Sequence, residues 1–488
     1  MSYLDLSIKE LHEAYVAGKV TPKEIVLESL ERAKADDNNC FEMICEEEAL
    51  RQVEELGEVE VDNVLWGIPF ALKDNFSTKG LETTASSNIL VGYKPLFDST
   101  VYKKLREKKA ILLGKTTLDE LAMGGTGTTG HKGITYNPYD KTKQRMAGGS
   151  SCGSASSVAA GIVQFAIGSD TGDSVRKPAS YEGLVGTKPT WGRISRFGLF
   201  PFAPSLDHVA FFTRDVEDAA YVLEALSGRD YNDSTSSTLP VEKYEEGINN
   251  HSPKKIAVIK EIIDSIKNKA LLNAFNKSIE KLKEKGHVVE FVDFGLDLLH
   301  SIYATYIVIS CAEATSNDAN LDGIKFGPFY NGNTYQDVMR EARTRGFCEL
   351  IKRRFVIGSF ALMRENQDVL FLRAQRNRAK IVERTNQILK DYDFIYVPAA
   401  PGIAPEFKNS SDKLSNEYLI ADNHLALGNF AGLPSITLPL TFENGMPIGI
   451  NFMGRAFQEK ELLNICKEFE DISGLANLSV LNKKEGHL

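Results

Sequence analysis

Gly67-Ile-Pro-Phe-Ala-Leu72, Ala110-Ile-Leu-Leu113 and Ile162-Val-Gln-Phe-Ala-Ile167 are short apolar runs set between glycine-rich loops and stretches of helical pattern. Runs of this length are too short for buried helices and suit strands. Strands that alternate with helices predict an α/β fold, a sheet covered by helices on both faces. The rhythm resumes downstream in Ile256-Ala-Val-Ile259, an amphipathic helix from about Lys269 to Lys285, and Val288-Val-Glu-Phe-Val292. Phe394-Ile-Tyr-Val397, Ser435-Ile-Thr-Leu438 and Ile448-Gly-Ile-Asn-Phe452 are expected to complete the same sheet. Long charged helices are expected from about Tyr335 to Leu362 and from about Leu370 to Leu389.

Upstream of the first strand the chain carries explicit helix-start signals. Ser7 with Glu10 forms one capping box, Thr21-Pro22-Lys23-Glu24 forms a second with proline at the first helical position, and Gly18 closes the first helix. Residues 1–55 are therefore expected to form an N-terminal helical layer before a main domain spanning 56–488. Within that domain a core of about 66–212 precedes a polar, turn-rich loop or break at 228–253, and residues 254–488 complete the sheet.

The 488 residues exceed the single-domain length prior and can bury a large core. Hydrophobic residues at 42% and charged residues at 25% exclude a disordered, collagen-like or disulfide-scaffold chain. With 57 basic against 66 acidic side chains the net charge is -9, the wrong sign for gripping phosphates over a broad surface, so a nucleic-acid role needs a partner. Six scattered cysteines without a C-x-x-C pair and eight histidines without ligand spacing predict no metal site. No run of ~18 apolar residues is present, and Met1 to Lys9 carries charge where a signal peptide would be apolar. The expectation is a cytoplasmic protein without membrane contact.

Two phosphate-loop resemblances fail. Gly114-Lys115-Thr116 has Lys109 where the leading glycine is needed, and a strand fills the space between; Gly183-Leu-Val-Gly-Thr-Lys188 fails on spacing. No ATP cradle is expected in this chain.

Three segments set a reactive side chain beside backbone that a substrate can approach closely. In Gly67-Ile-Pro-Phe-Ala-Leu-Lys-Asp-Asn75, Lys73 emerges from an apolar strand, where desolvation would lower its pKa and make it a base. The alternative is a solvated strand-end lysine. Ala147-Gly-Gly-Ser-Ser-Cys-Gly-Ser-Ala155 reads as a glycine-serine loop entering a helix, able to orient a hydroxyl or merely to cap. In Gly168-Ser-Asp-Thr-Gly-Asp-Ser-Val-Arg-Lys-Pro-Ala179 a strand runs into Thr171-Gly172-Asp173-Ser174, whose successive amides can form an oxyanion hole around a nucleophilic Ser174. The alternative is an ordinary strand-to-helix turn with Arg176 a surface charge.

In this order and with these flanks the segments resemble the amidase signature family. The resemblance implies a central mixed sheet and a serine nucleophile activated through a second serine by a lysine. On it Lys73 matches the base, Ser150 the bridging serine in a cis peptide, and Ser174 the nucleophile, with the backbone of Thr171, Gly172 and Asp173 forming the oxyanion hole. The likeness runs to Gly432-Leu-Pro and Pro447-Ile-Gly-Ile-Asn-Phe-Met-Gly454.

Further runs are similar to the branch of the family that supplies ammonia to tRNA-dependent amidotransferases. They include Leu118-Asp-Glu-Leu-Ala-Met-Gly124, Tyr136-Asn-Pro-Tyr139, Ser205-Leu-Asp-His208, Glu313-Ala-Thr-Ser-Asn317 and Asn429-Phe-Ala-Gly-Leu-Pro434. That likeness implies glutamine as substrate, with Arg354 on its α-carboxylate, Asp422 on its α-ammonium and Tyr306 lining the pocket; Arg353 competes with Arg354. It implies no cofactor in this chain. The expected partners are a tRNA-binding kinase subunit that uses ATP and Mg, a small third subunit, and Glu-tRNA(Gln) reached through the complex.

Cys152 and Asp173 stand where many family members have glycine. A carboxylate at 173 would oppose charge on the substrate oxygen unless it points away, whereas Cys152 reads as a small buried residue. A stand-alone amidase for small amides, and a silent scaffold or glutamine-binding subunit spoiled by Asp173, are the competing readings.

Overall fold

The three apolar runs lie side by side. In this computed structural model, which describes residues 2–408 and 416–482 (backbone only for 416–419), eleven strands form one sheet. They are β1 (Phe41–Ile44), β2 (Pro69–Lys73), β3 (Ile111–Thr116), β4 (Phe165–Asp170), β5 (Val185–Lys188) and β6 (His208–Thr213). β7 (Lys255–Ile259), β8 (Val288–Val292), β9 (Phe394–Pro398), β10 (Ser435–Glu443) and β11 (Met446–Met453) follow. Their spatial order is β1-β3-β2-β4-β6-β5-β10-β11-β9-β7-β8.

The sheet is mixed. β2 pairs in parallel with β3 and β4, and β7 in parallel with β8 and β9, while the strands between run antiparallel. Alternation along the strands feeds two apolar cores: Ile256 and Val258 enter one, Ala257 and Ile259 the other. Phe394 and Tyr396 divide from Ile395 and Val397 in the same way. Both faces are thus covered, as the apolar runs require. Phe70 stacks on Phe165 at 5.4 Å between ring centroids, which locks β2 to β4.

Both expected capping boxes form. Ser7 and Glu10 exchange side-chain to backbone bonds, as do Thr21 and Glu24, and such caps contribute about 1 kcal/mol each. The N-terminal layer is not wholly helical, because Phe41–Ile44 pairs antiparallel with β3 at the sheet edge. Residues 41–45, between Cys40, whose N–H is held by Asp36, and the next helix at Glu46, are too few for a helix of their own. Residues 228–254 carry neither helix nor strand. They pack back onto the body through buried Tyr244, whose hydroxyl accepts from Arg193 Nε at 2.7 Å.

The helix expected from about Tyr335 to Leu362 is two, Tyr335–Gly346 and Glu349–Leu362. Glu120 Oε2 accepts from Cys348 N–H at 2.8 Å and fixes the break. The other long helix, Arg373–Asp391, follows a π turn at Asp368–Leu372.

Parallel pairing brings the carboxyl ends of β2, β3 and β4 to one edge, with Lys73 in register with Thr116. Open α/β sheets place ligands at such ends.

Candidate active site

Lys73 is the last residue of β2 and is fully buried. Its Nζ lies 2.8 Å from Ser150 Oγ, 2.8 Å from Ser151 Oγ and 2.9 Å from Ser169 Oγ. Burial pushes its pKa down to about 7, against the opposing pull of Cys152, Asp119, Asp170 and Asp207. Desolvation destabilises the ammonium relative to the amine. Near neutral pH a large fraction therefore carries a free lone pair facing hydroxyl groups, the condition for a general base.

Ser150 follows a cis peptide bond from Gly149 and is buried. Its carbonyl accepts from Asp119 N–H at 3.1 Å, and the next residue, Ser151, donates its N–H to Ser174 O at 3.2 Å. That bond joins the glycine-serine loop to the turn carrying Ser174. A Cβ at Gly149 would lie 2.1 Å from Asp119 Oδ2, so only glycine fits. The same carboxylate gathers the N–H groups of Thr126, Gly127, Thr128 and Thr129. Asp119 of the Leu118-Asp-Glu-Leu run is therefore an organiser of backbone. Cys152 opens the helix Cys152–Ala159, and burial pushes its thiol up to about 12, which makes it packing and not a nucleophile.

Ser174 is buried at the end of the turn that leaves β4. None of the N–H groups of Gly172, Asp173 and Ser174 donates to another described residue. Arg176 is not a surface charge. It is fully buried, and its Nη2 donates to Asp170 Oδ1 at 2.9 Å, Gly172 O at 2.7 Å and Asn429 Oδ1 at 2.6 Å. Burial opposes the charge on Asp170, yet Arg176 holds that carboxyl well below its ordinary range. Thr171 sends its hydroxyl to Asp207 Oδ1 at 2.6 Å, leaving only its backbone for the turn. The Asp170–Arg176–Asn429 network escaped the sequence reading, where Arg176 has no visible partner.

Beside this turn lies a cavity of about 260 Å3 whose lining includes Asp173, Lys177, Tyr306, Arg354 and Asp422. The structure thus gathers the three residues expected to bind substrate, and it separates Arg354 from Arg353, which is exposed and absent from the lining. Arg354 Nε and Nη1 are buried without a hydrogen-bond partner among the described residues, and the guanidinium lies 5.5 Å from the centre of the Phe202 ring. Buried donors left unmade are costly, so a carboxylate entering the cavity has strong partners waiting. A Cβ at Gly172 would approach the Tyr306 ring to 3.0 Å, so glycine there lets the ring lie against the turn.

Asp173 turns its carboxylate to Lys177, with Oδ2 2.5 Å from Nζ. Asp422 Oδ1 lies 3.1 Å from the same ammonium. Burial opposes the charge on Lys177, but the two carboxylates raise its pKa well above the ordinary value; burial raises that of Asp173, and Lys177 opposes. Lys177 was not among the sequence candidates. Its signal was the spacing of four from Asp173 at a helix start, which brings the two side chains together.

An amidase family profile matches residues 24–463. The chain is 39% identical to the A subunit of the glutamyl-tRNA(Gln) amidotransferase of Listeria innocua, over 96% of this chain and 98% of that protein. Identity to the protein of the same name from Latilactobacillus sakei is 39%, covering 96% of each. Among solved structures, the corresponding glutamyl-tRNA(Gln) amidotransferase protein from Thermotoga maritima superposes with a TM-score of 0.78 at 35% identity, covering 99% of this chain and 97% of that one. The peptide amidase from Stenotrophomonas maltophilia gives 0.81 at 25% identity, covering 97% and 98%. A match this long, on a sheet that carries the lysine, the two serines and the turn in the expected order, has one consequence: the chain belongs to the amidase family.

Proposed function

We propose that the chain is the glutamine-hydrolysing, ammonia-donating subunit of a tRNA-dependent amidotransferase that converts Glu-tRNA(Gln) to Gln-tRNA(Gln). The observation that carries the reading is a buried lysine near its neutral form, 2.8 Å from the Ser150 hydroxyl, next to a turn whose neighbouring cavity holds an aspartate and a guanidinium with two buried nitrogens unpartnered among the described residues. The near full-length likeness to proteins bearing that name supports the assembly.

In this reading Lys73 takes a proton from Ser150 as Ser150 takes one from Ser174. The Ser174 oxygen bonds to the side-chain amide carbon of glutamine, and the carbonyl electrons move onto oxygen. Amides of the 171–174 turn receive that oxyanion. The proton returns through Ser150 to the amide nitrogen, the C–N bond breaks and ammonia leaves. Water then cleaves the glutamyl ester, releasing glutamate and restoring Ser174. Arg354 holds the α-carboxylate, Asp422 the α-ammonium, and Tyr306 closes one wall. Ammonia passes to a tRNA-binding partner subunit that activates the glutamyl group with ATP and Mg, while a small third subunit completes a heterotrimer. The net charge of -9 fits a chain that leaves tRNA to that partner. Exposed Val356 and Phe360, one turn apart on the helix Glu349–Leu362, and Met363 just past its end support a protein-binding surface.

The test is ammonia release from glutamine by the chain, alone and assembled with candidate partner subunits and Glu-tRNA(Gln). Release that rises with partners and charged tRNA, and disappears in Ser174→Ala, is the expected result. Partner-independent preference for other amides would replace the reading by a stand-alone amidase. No release under any condition would leave a silent scaffold.

A further inference from the structure

The cavity beside Ser174 has two charged ends. At one, two carboxylates share a single ammonium: Lys177 Nζ lies 2.5 Å from Asp173 Oδ2 and 3.1 Å from Asp422 Oδ1, and it donates to Asp422 O at 2.7 Å. The Lys177 side chain is only 7% exposed, whereas Asp173 and Asp422 are 18% and 23% exposed, so among these cavity-lining groups the carboxylates are the more accessible. With Asp173, Asp422 and Lys177 all ionised, this end carries one net negative charge. At the other, Arg354 presents buried donors without partners and one positive charge. Tyr306 lines the same cavity, with its ring against Gly172.

The charge count gives Asp173 its meaning. Lys177 by itself would compensate Asp422 and leave that end neutral, with little attraction for an incoming cation. Asp173 restores the missing charge. Lys177 engages one oxygen of each carboxylate, and an ionised carboxylate has about four lone-pair sites, so both retain acceptor capacity for a further donor. The bridging ammonium also holds the Asp173 carboxylate in an ion pair. A cavity negative at one end and positive at the other is complementary to a zwitterion.

We propose that Asp173 is a specificity-determining residue that, bridged to Asp422 by Lys177, accepts the α-ammonium of an α-amino-acid ω-amide while Arg354 takes the α-carboxylate. Asp173 then serves twice, its N–H lying in the turn that receives the oxyanion and its carboxylate selecting the substrate. The inference rests on the glutamine-hydrolysing reading above.

The experiment compares kcat/KM for glutamine and for 5-amino-5-oxopentanoate, which is glutamine without its α-amino group. It uses the chain assembled with its partner subunits, as wild type, Asp173→Asn and Asp173→Glu. Wild type should prefer glutamine at least tenfold. Asp173→Asn should lower kcat/KM for glutamine at least tenfold, mainly through KM, with the deaminated amide changed less than threefold; Asp173→Glu should recover part of the preference. Equal losses on both amides would overturn the proposal in favour of a structural role, equal gains would mean that the carboxylate opposes the oxyanion, and no change would remove it from recognition. Ser174→Ala and Ser174→Ala/Asp173→Asn assemblies, titrated calorimetrically with both amides, separate the two readings. A tenfold binding preference lost only with Asp173→Asn upholds the inference even where turnover is absent, and equal binding of both amides by the two assemblies overturns it.

Discussion

At the scale of single residues, burial suits Lys73 to the proposed role of base. Its pKa of about 7 lies below the ordinary lysine value because burial removes the water that stabilises an ammonium. The amine form is present above that pKa and is lost as pH falls through it. Below about pH 7, kcat/KM for glutamine should therefore fall about tenfold per pH unit, read from an ammonia-release profile at saturating partner subunits. A flat profile down to pH 5.5 would remove Lys73 as the base. Lys73→Met should lower kcat by about 10²–10⁴, the usual span for loss of general-base assistance. At Arg354 the expected loss lies in binding, since its free donors await a carboxylate. Arg354→Met should reduce kcat/KM about 10–100-fold through KM, as for hydrogen bonds to a charged group worth about 1.5–3 kcal/mol. A loss confined to kcat would place Arg354 elsewhere in the reaction.

At the scale of elements, the turn between β4 and the helix Arg176–Glu182 depends on one buried ion pair. Arg176 and Asp170 are both fully buried and join the turn to Asn429 and to Leu425 O. Removing one partner of such a pair strands the other charge, at a cost of about 3–5 kcal/mol. Arg176→Met should lower the denaturant midpoint by a corresponding amount, and Asp170→Asn/Arg176→Met should regain part of it. A double variant no more stable than Arg176→Met would show that the hydrogen bonds to Gly172 and Asn429, and not charge pairing, hold the turn. Element types were legible wherever local pattern sufficed, as at the capping boxes of Ser7 and Thr21 and in the apolar runs that became β2, β3 and β4. The single helix read from Tyr335 to Leu362 is two because Glu120, distant in sequence, captures the Cys348 N–H. Periodicity carries no trace of such a bond.

At the scale of the molecule, the acidic balance makes its own prediction. A net charge of -9 repels polyphosphate, so the isolated chain should show no saturable tRNA binding by filter retention at about 150 mM salt, while the assembled complex should. Tight binding by the chain alone would place a tRNA surface on it and change the division of labour with its partners. The residues proposed to carry the chemistry stand out because glycine, serine and lysine in fixed order reflect local backbone demands: a tight turn, a close approach, a strand end. Strand and helix types followed from periodicity for the same local reason. Three features needed the folded chain: the depth at which Lys73 is buried, the choice of Arg354 over Arg353, and the approach of Asp422 to the Asp173–Lys177 pair. Each depends on neighbours brought together by the sheet from positions far apart in sequence. Burial and electrostatics are properties of that assembly, not of any segment.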